Sequence, residues 1–465
     1  MKYYILNIFF LLQIIWAEPF EGLTLITTMA SGQNSSDTYL IDNDENIINS
    51  WSHSTGSASV GYLSRDSILF LPSKIGGNED GQAGGLFKKI DWDGNILWEW
   101  MMPTEICVPH HDITVLPNEN ILAICEETKT RQEALNAGLE GINGPITLDM
   151  VVEIHPLPNN EAEIVWEWHF WDHLVQDRDE QYTATYGAIS DHPELLDINV
   201  NGNGNNQGIH DWNHCNKISY NEQFDQIVLS CRHMDEIYVI DHSTTTEEAA
   251  GHTGGSQGKG GDILYRWGNP QNYDRGTSDD QILDAQHGIL WIPEGYPGEG
   301  NFLVYNNIHR RNPMRSAVLE FDCIADENGH YPIENGQPFG PDTYLWIYEA
   351  DFFSATQSGA YRLPNGNTLV TVTTEFDFFE VDLNGQIQWD PAFNAQCARA
   401  LKYGYDYFQN QILGDINSDN QVNVLDVIVL VNYILENYFE QQADLNSDEI
   451  LNILDIIDLI NIILN

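Results

Sequence analysis

Lys89-Ile90-Asp91-Trp92-Asp93-Gly94-Asn95-Ile96-Leu97-Trp98 is the stretch whose reading decides the fold. An apolar strand ends in an acidic residue, a polar turn follows, and a short second strand closes on Trp. Strands flanking a Gly-containing polar turn read as a hairpin. The phrase recurs through residues 22–390. It appears as Tyr39-Leu40-Ile41-Asp42 leading to Trp51, as Val152-Glu153-Ile154 leading to Trp166-Glu167-Trp168, and as Val239-Ile240-Asp241 leading to Trp267. Later copies are Leu319-Glu320-Phe321-Asp322 leading to Trp346, and Val381-Asp382-Leu383-Asn384-Gly385-Gln386-Ile387-Gln388-Trp389. A second turn phrase precedes several of them, Leu116-Pro117-Asn118-Glu119-Asn120 and Leu363-Pro364-Asn365-Gly366-Asn367. Four short strands per unit, about six units and almost no helical periodicity predict an all-β, six-bladed β-propeller over residues 18–400. A β-helix or a sandwich is the structural alternative, and the Trp-closed strand speaks for the propeller. The Trp residues are expected to pack between blades. Insertions at 169–209 and 268–286 make the spacing irregular. The first carries Trp171, Tyr182 and Tyr186 and is long enough to be expected as a lid.

Residues 411–465 write one cation-binding phrase twice. Asp415, Asn417, Asp419, Asn423 and Asp426 occupy positions 1, 3, 5, 9 and 12 of a loop, and Asp444, Asn446, Asp448, Asn452 and Asp455 repeat the spacing. Oxygen side chains at that spacing suit Ca²⁺, which takes six or more oxygen ligands. Apolar stretches follow each loop, Val427–Leu435 and Ile456–Leu464, and are expected as helices. Asn420 and Glu449 stand where an EF-hand has Gly, and Asp stands at position 12 in place of Glu. The pair therefore resembles the dockerin repeat. That resemblance implies a small all-α, calcium-binding attachment module with a cohesin-like or cell-surface partner.

Acidic residues outnumber basic ones 70 to 19, a net charge of −51, which argues against nucleic acid and anionic membrane as partners. Aromatic residues at 11% and hydrophobic residues at 42% exclude a disordered chain. Any anion site must supply local positive charge against this field. Lys2, the apolar run Ile5–Trp16 and Ala17 predict a signal peptide over 1–17, hence export to a periplasmic, cell-surface or extracellular site. No later run is apolar enough to span a membrane. Cys215 and Cys231 fall on neighbouring strands of one hairpin, and Cys107 and Cys125 flank another; spacing leaves their pairing open, as it does that of Cys323 and Cys397.

Aligning the blades on the hairpin turn places a histidine first in three of them: His111 before Asp112-Ile113, His214 before Cys215-Asn216, and His287 before Gly288-Ile289. Ser358 takes the place in the sixth. That position opens the strand lining a propeller's central channel, so three imidazoles are expected to converge there. Arg232 ends the next strand in the fourth blade. Imidazole donors with a guanidinium fork suit a tetrahedral oxyanion. The glycine-rich run 254–261 lacks the strand-to-helix context of a phosphate loop and reads as a flexible hairpin loop.

His110-His111-Asp112, Asp211-Trp212-Asn213-His214-Cys215-Asn216, Ser230-Cys231-Arg232, and Gln286-His287 followed by Asn301–Asn307 together resemble the signature segments of the PAPS-independent arylsulfate sulfotransferase family. The resemblance implies a six-bladed propeller that moves a sulfuryl group from an aryl sulfate donor to a phenolic acceptor by a ping-pong route, with no cofactor for the transfer. It implies His287 as the transiently sulfurylated nucleophile. His214, Arg232 and one of His110 and His111 would hold the sulfate oxygens, with Asn216 assisting; the blade alignment selects His111. Gly288 and Cys215 depart from the usual residues at their positions. The competing readings are a metal-dependent, polysaccharide lyase-like propeller with the histidines as ligands, and a non-catalytic propeller that binds glycan or protein.

Overall fold

The computed structural model describes residues 18–29, 35–74, 84–200, 211–408, 414, 416–417, 422–436, 438–440, 443–446 and 450–464. The expected signal peptide therefore lies outside the described residues. Six four-stranded antiparallel sheets form a β-propeller. Blade 2 is Tyr62–Leu63, Leu69–Lys74, Gly85–Ile90 and Ile96–Met101; blade 3 is Val108–Val115, Ile121–Lys129, Ile146–Leu157 and Glu161–His169. Blade 4 is Cys215–Asn221, Gln226–Cys231, Glu236–Asp241 and Tyr265–Trp267, and blade 5 is His287–Trp291, Phe302–Arg311, Met314–Phe321 and Trp346–Tyr348. Blade 6 is Gly359–Arg362, Thr368–Val372, Asp377–Val381 and Ile387–Trp389.

Blade 1 closes the ring. Its outer three strands, Gly22–Thr28, Ser36–Ile41 and Ile47–His53, come from the start of the chain, and its innermost strand, Cys397–Gly404, comes from the far end. Pairing the two ends hides a sheet edge that would otherwise stand open. The boundary expected at residue 400 falls inside this strand. Contacts divide the chain into two compact units, Met1–Ser64 with Ile68–Gly404, and Arg65–Ser67 with Tyr405–Asn465.

The repeated phrase has a local cause. Asp91 accepts the backbone N–H of Asn95 at 2.7 Å and its side-chain amide at 2.8 Å, while Gly94 takes the left-handed φ of 87° that the turn requires. Asp42 and Asp382 hold the backbone N–H of Asn46 and Gln386 in the same way. The closing Trp of each blade then reaches the following one. Trp51 donates its indole N–H to Asp91 O, Trp98 to Glu161 O, Trp166 to Thr244 Oγ1, Trp267 to Pro341 O, Trp346 to Leu383 O, and Trp389 back to Asn43 O. An indole buries a large apolar body and needs one acceptor, so one residue both fills the inter-blade gap and orients it.

Residues 170–200 are not an open loop. Leu174–Gln176 pairs in parallel with Thr185–Tyr186 and Leu196–Asp197, and Phe170, Leu174, Leu196 and Ile198 join the core between blades 3 and 4. The rest of the expected lid, 201–209, lies outside the described residues. In the second unit the helices are Val424–Glu436 and Ile453–Leu464, each starting three residues earlier than the apolar pattern predicts. The cause is a side-chain cap: Asn423 Oδ1 accepts Leu425 N–H at 2.9 Å, and Asn452 Oδ1 accepts Leu454 N–H at 2.8 Å. Ile416, Leu430, Ala443 and Leu459 form the core of this unit. Among the described residues no helix is long and apolar enough to cross a membrane.

Candidate active site

The innermost strands of blades 3, 4 and 5 each begin with an irregular pairing, between Pro109 and Ile113, Cys215 and Lys217, and His287 and Leu290. Such bulges re-aim side chains. His111, His214 and Ser358 share a left-handed backbone, with φ of 56°, 51° and 80°. In blade 5 the left-handed residue is Gly288 instead, at φ 71°, and a Cβ there would stand 2.9 Å from Gly359 Cα. The departure at Gly288 thus has a steric cause.

His287 is fully buried. Asn307 fixes its tautomer: the Asn307 amide nitrogen donates to Ser354 O at 2.9 Å and Gln357 O at 3.0 Å, so Oδ1 must face the imidazole. His287 Nδ1–H therefore donates to Asn307 Oδ1 at 2.8 Å, and the lone pair sits on Nε2, which has no hydrogen-bond partner among the described residues. Burial, reinforced by Arg232, His214 and Arg399, holds its pKa well below the usual histidine value; the Asn307 bond opposes this and loses. The imidazole is neutral and its Nε2 is available.

His111 and His214 meet edge to face with ring centroids 4.7 Å apart. His111 Nδ1 lies 2.6 Å from His110 Nδ1, and His110 Nε2 lies 2.9 Å from Asp149 Oδ1. Burial opposes charge on His110, but the Asp149 carboxylate outweighs it and raises the pKa. Burial and the neighbouring His214, His110, His287 and Arg399 press His111 well below the usual value. A proton shared between the two Nδ1 atoms therefore rests on His110, and His111 Nε2, buried and without a partner among the described residues, keeps the hydrogen. His214 Nδ1 is held by Asp211 Oδ2 at 2.6 Å.

Arg232 is half-buried, with Nη1 3.3 Å from His233 Nε2; His233 Nδ1–H donates to Asp211 O at 2.8 Å. Cys215 and Cys231 stand opposite each other and are disulfide-bonded, so one covalent link joins the neighbours of His214 and Arg232. Cys107, Cys125, Cys323 and Cys397 are free thiols. Asn216 donates its amide to Gln286 O at 2.8 Å, which ties it to the residue before His287, and its Oδ1 has no partner among the described residues. Asp211, His214 and His233 bring ligand atoms close enough for a metal ion. The Arg232 guanidinium against His233 makes that a poor seat for a cation.

Next to His111 on the same strand, Asp112 accepts from Tyr62 at 2.7 Å and pairs with Lys217 at 2.8 Å and Arg399 at 2.7 Å, all of them buried or nearly so. Burial pulls Lys217 down to about 8 against the attraction of Asp112. Two cations against one carboxylate leave a positive surplus beside His111 and His287. This is the local charge that a chain of −51 needs for an anion. Arg399, Asn307, Asp149 and His233 escape sequence reading. The only available signal was Asn306-Asn307 within a signature segment.

The sequence matches the arylsulfotransferase (ASST) family over residues 21–374 and the type I dockerin domain over 413–464, so the chain belongs to the arylsulfotransferase family and carries a C-terminal dockerin domain. A search of curated proteins found no match. Among solved structures, a protein of unknown function from Bacteroides caccae is 10% identical, covers 82% of this chain and 98% of its own, and has a TM-score of 0.43. A virginiamycin B lyase from Staphylococcus aureus is 10% identical over 80% of this chain and 86% of its own, with a TM-score of 0.35. Likenesses this remote carry nothing about chemistry.

Proposed function

We propose that this chain is an exported arylsulfate sulfotransferase that passes a sulfuryl group from an aryl sulfate to a phenol through a sulfohistidine at His287. The reading rests on one observation above the rest: a neutral imidazole, tied at Nδ1 by Asn307, offers an unpartnered Nε2 among Arg232, His214 and Arg399. Sulfuryl transfer, like phosphoryl transfer, runs through a loose, charge-rich transition state, so positioning and cationic donors supply most of the rate.

The Nε2 lone pair attacks sulfur and the S–O(aryl) bond breaks. Arg232 and His214 hold the sulfate oxygens, assisted by Asn216. The leaving phenolate takes the proton from His111 Nε2 while the His110 proton passes across the 2.6 Å contact to His111 Nδ1. Both rings are then neutral, and His111 Nε2 is a base. An incoming phenol returns a proton to it as its oxygen attacks sulfur and the N–S bond breaks. Asp149, through His110, positions this relay. No nucleotide or metal enters any step.

Type I dockerin domains bind calcium and occur in extracellular proteins. For this chain we infer two Ca²⁺, held by Asp415, Asn417, Asp419, Asn423 and Asp426, and by Asp444, Asn446, Asp448, Asn452 and Asp455, with a cohesin-type partner outside the cell. Asp415, Asp419 and Asp448 lie outside the described residues. The decisive experiment is transfer from 4-nitrophenyl sulfate to phenol, with radiolabelled donor to trap the intermediate. His287→Ala should lose at least ~10³-fold in rate. The wild type should carry label on one histidine; label on tyrosine or serine would refute the assignment.

A further inference from the structure

A second group of side chains converges at the root of the 170–200 insertion, outside the channel. His173 follows the outer strand of blade 3 and is fully buried; His252 and Asp262 bracket the glycine-rich turn before the outer strand of blade 4. Asp262 Oδ1 lies 2.9 Å from His173 Nδ1 and 2.7 Å from His252 Nδ1, so two imidazole nitrogens and a carboxylate oxygen face one point. The other nitrogen of His173, Nε2, is 2.9 Å from Ala249 O.

The two nitrogens of His173 have different partners, a backbone carbonyl on Nε2 and the Asp262 carboxylate on Nδ1. A divalent cation fits that division of roles. Nε2–H donates to the Ala249 carbonyl, the second-sphere bond that metal-bound histidines make almost without exception, and the Nδ1 lone pair turns to the ion. His252 and Asp262 complete three ligands, with the exposed side of His252 leaving a fourth position to solvent. Two imidazoles and one carboxylate select a borderline transition ion of the zinc class; Ca²⁺ and Mg²⁺ want oxygen ligands.

The surroundings hold the geometry. His173 stacks on Trp168 at an interplanar angle of 8°, and Trp168 donates its indole N–H to Gly261 O at 2.7 Å. A Cβ at Gly261 would stand 2.6 Å from His173 Nε2, so glycine is needed there for the turn to approach the ring. Gly260 N–H bonds Gly254 O at 3.0 Å and Gly261 N–H bonds Gly251 O at 3.0 Å. The run 254–261 is thus a compact turn built against His173, in place of the flexible loop that composition suggests. Tetrahedral ligands with bonds of about 2.0–2.1 Å sit roughly 3.3 Å apart; the three atoms here lie within 4.8 Å of one another, and the Asp262 oxygen would move out from 2.9 Å and 2.7 Å of the two nitrogens.

We propose that His173, His252 and Asp262 form a zinc-class metal site that pins the base of the insertion to blade 4. The test uses the full-length protein with its calcium loops saturated by excess Ca²⁺, titrated with Co²⁺ as a spectroscopic stand-in for zinc. One equivalent should give visible d–d absorption, and Zn²⁺ should displace it and raise the Tm by mass action. His252→Ala, chosen because this ring is half-exposed, and Asp262→Asn should each weaken Co²⁺ by more than the ~10–100-fold that losing an outer partner costs. His214→Ala should leave binding unchanged, which separates this site from the Asp211, His214 and His233 group. No Co²⁺ spectrum, binding that survives both His252→Ala and Asp262→Asn, or binding lost in His214→Ala would each overturn the proposal.

Discussion

At the propeller channel, Arg232, Arg399 and Lys217 stand with Asp112 beside the neutral imidazoles of His111 and His287, while Asp149 and Asp211 hold His110 and His214. In the C-terminal unit the loops gather carboxylates instead, and the two that close them, Asp426 and Asp455, are fully buried. Each of those spends both oxygens on backbone: Asp426 accepts from Asn417 N at 3.0 Å and Asn423 N at 2.8 Å, and Asp455 from Leu445 N at 3.0 Å and Asn452 N at 2.8 Å. On the function proposed above, one region carries its own counter-charge for a ligand, and the other would take up a cation. Their dependence on ions should therefore be opposite.

The largest expected effect breaks the molecule along that line. In EGTA, a fragment of residues 405–465 should lose its helical circular dichroism altogether, because like charges meet without the ion that folds them. A chain ending at Gly404 should keep full sulfuryl transfer in the same buffer. The cut must follow Gly404, since one at residue 400 would sever the strand that closes blade 1 just beyond Arg399. A propeller silenced by EGTA in the His252→Ala variant as well as in the wild type would favour metal chemistry at the channel.

Arg232→Lys comes next. A point charge replaces a fork poised by His233, and one lost transition-state contact of this kind costs about 10²–10³ in kcat. Thermal melts should barely move. An unchanged kcat would remove Arg232 from the site.

Replacing both Cys215 and Cys231 by Ala should cost about 10–10²-fold in kcat, because the link that spaces His214 from Arg232 is gone and small displacements of catalytic groups are expensive. Full activity in the double variant would mean that the hairpin alone sets the spacing.

The smallest effect is on stability against pH. His169 lies between Glu127 and Glu167, and His242 between Asp225 and Glu153; burial opposes their charge, the carboxylate bonds win, and both pKa values rise to about 9. The folded state then binds protons more tightly than the unfolded chain. Their contribution is complete below 6.5 and disappears as pH climbs to about 9, worth roughly 1 kcal/mol each after solvent screening. His111 and His287, lowered by burial, act in reverse: their contribution is present above 6.5 and lost as pH falls. The Tm of the propeller should peak near neutrality, and His242→Asn should flatten the alkaline slope. An unaltered slope in that variant would sink the assignment.

Much of the site is legible along the chain because histidines opening three inner strands repeat in register with a turn, and a turn is a local event. The contact between His110 Nδ1 and His111 Nδ1 is not readable in that way, because it depends on the irregular pairing that opens the strand. Asn307 is not readable as the residue that sets a tautomer, since its role depends on Ser354 and Gln357 from the next blade. His233 resembles any surface histidine until Arg232 leans on it.

The sequence alone determines the blades and the dockerin repeat, because an Asp-to-Asn turn, a Trp-closed strand and oxygen side chains at fixed spacing are set within a dozen residues. Tertiary structure alone decides which nitrogen of His287 is free, which ring of the His110 and His111 pair holds the proton, and that Arg399 serves the channel. Those properties belong to burial and to partners far away in the chain. Arg399 reaches Asp112 only when the two ends of the chain share one blade.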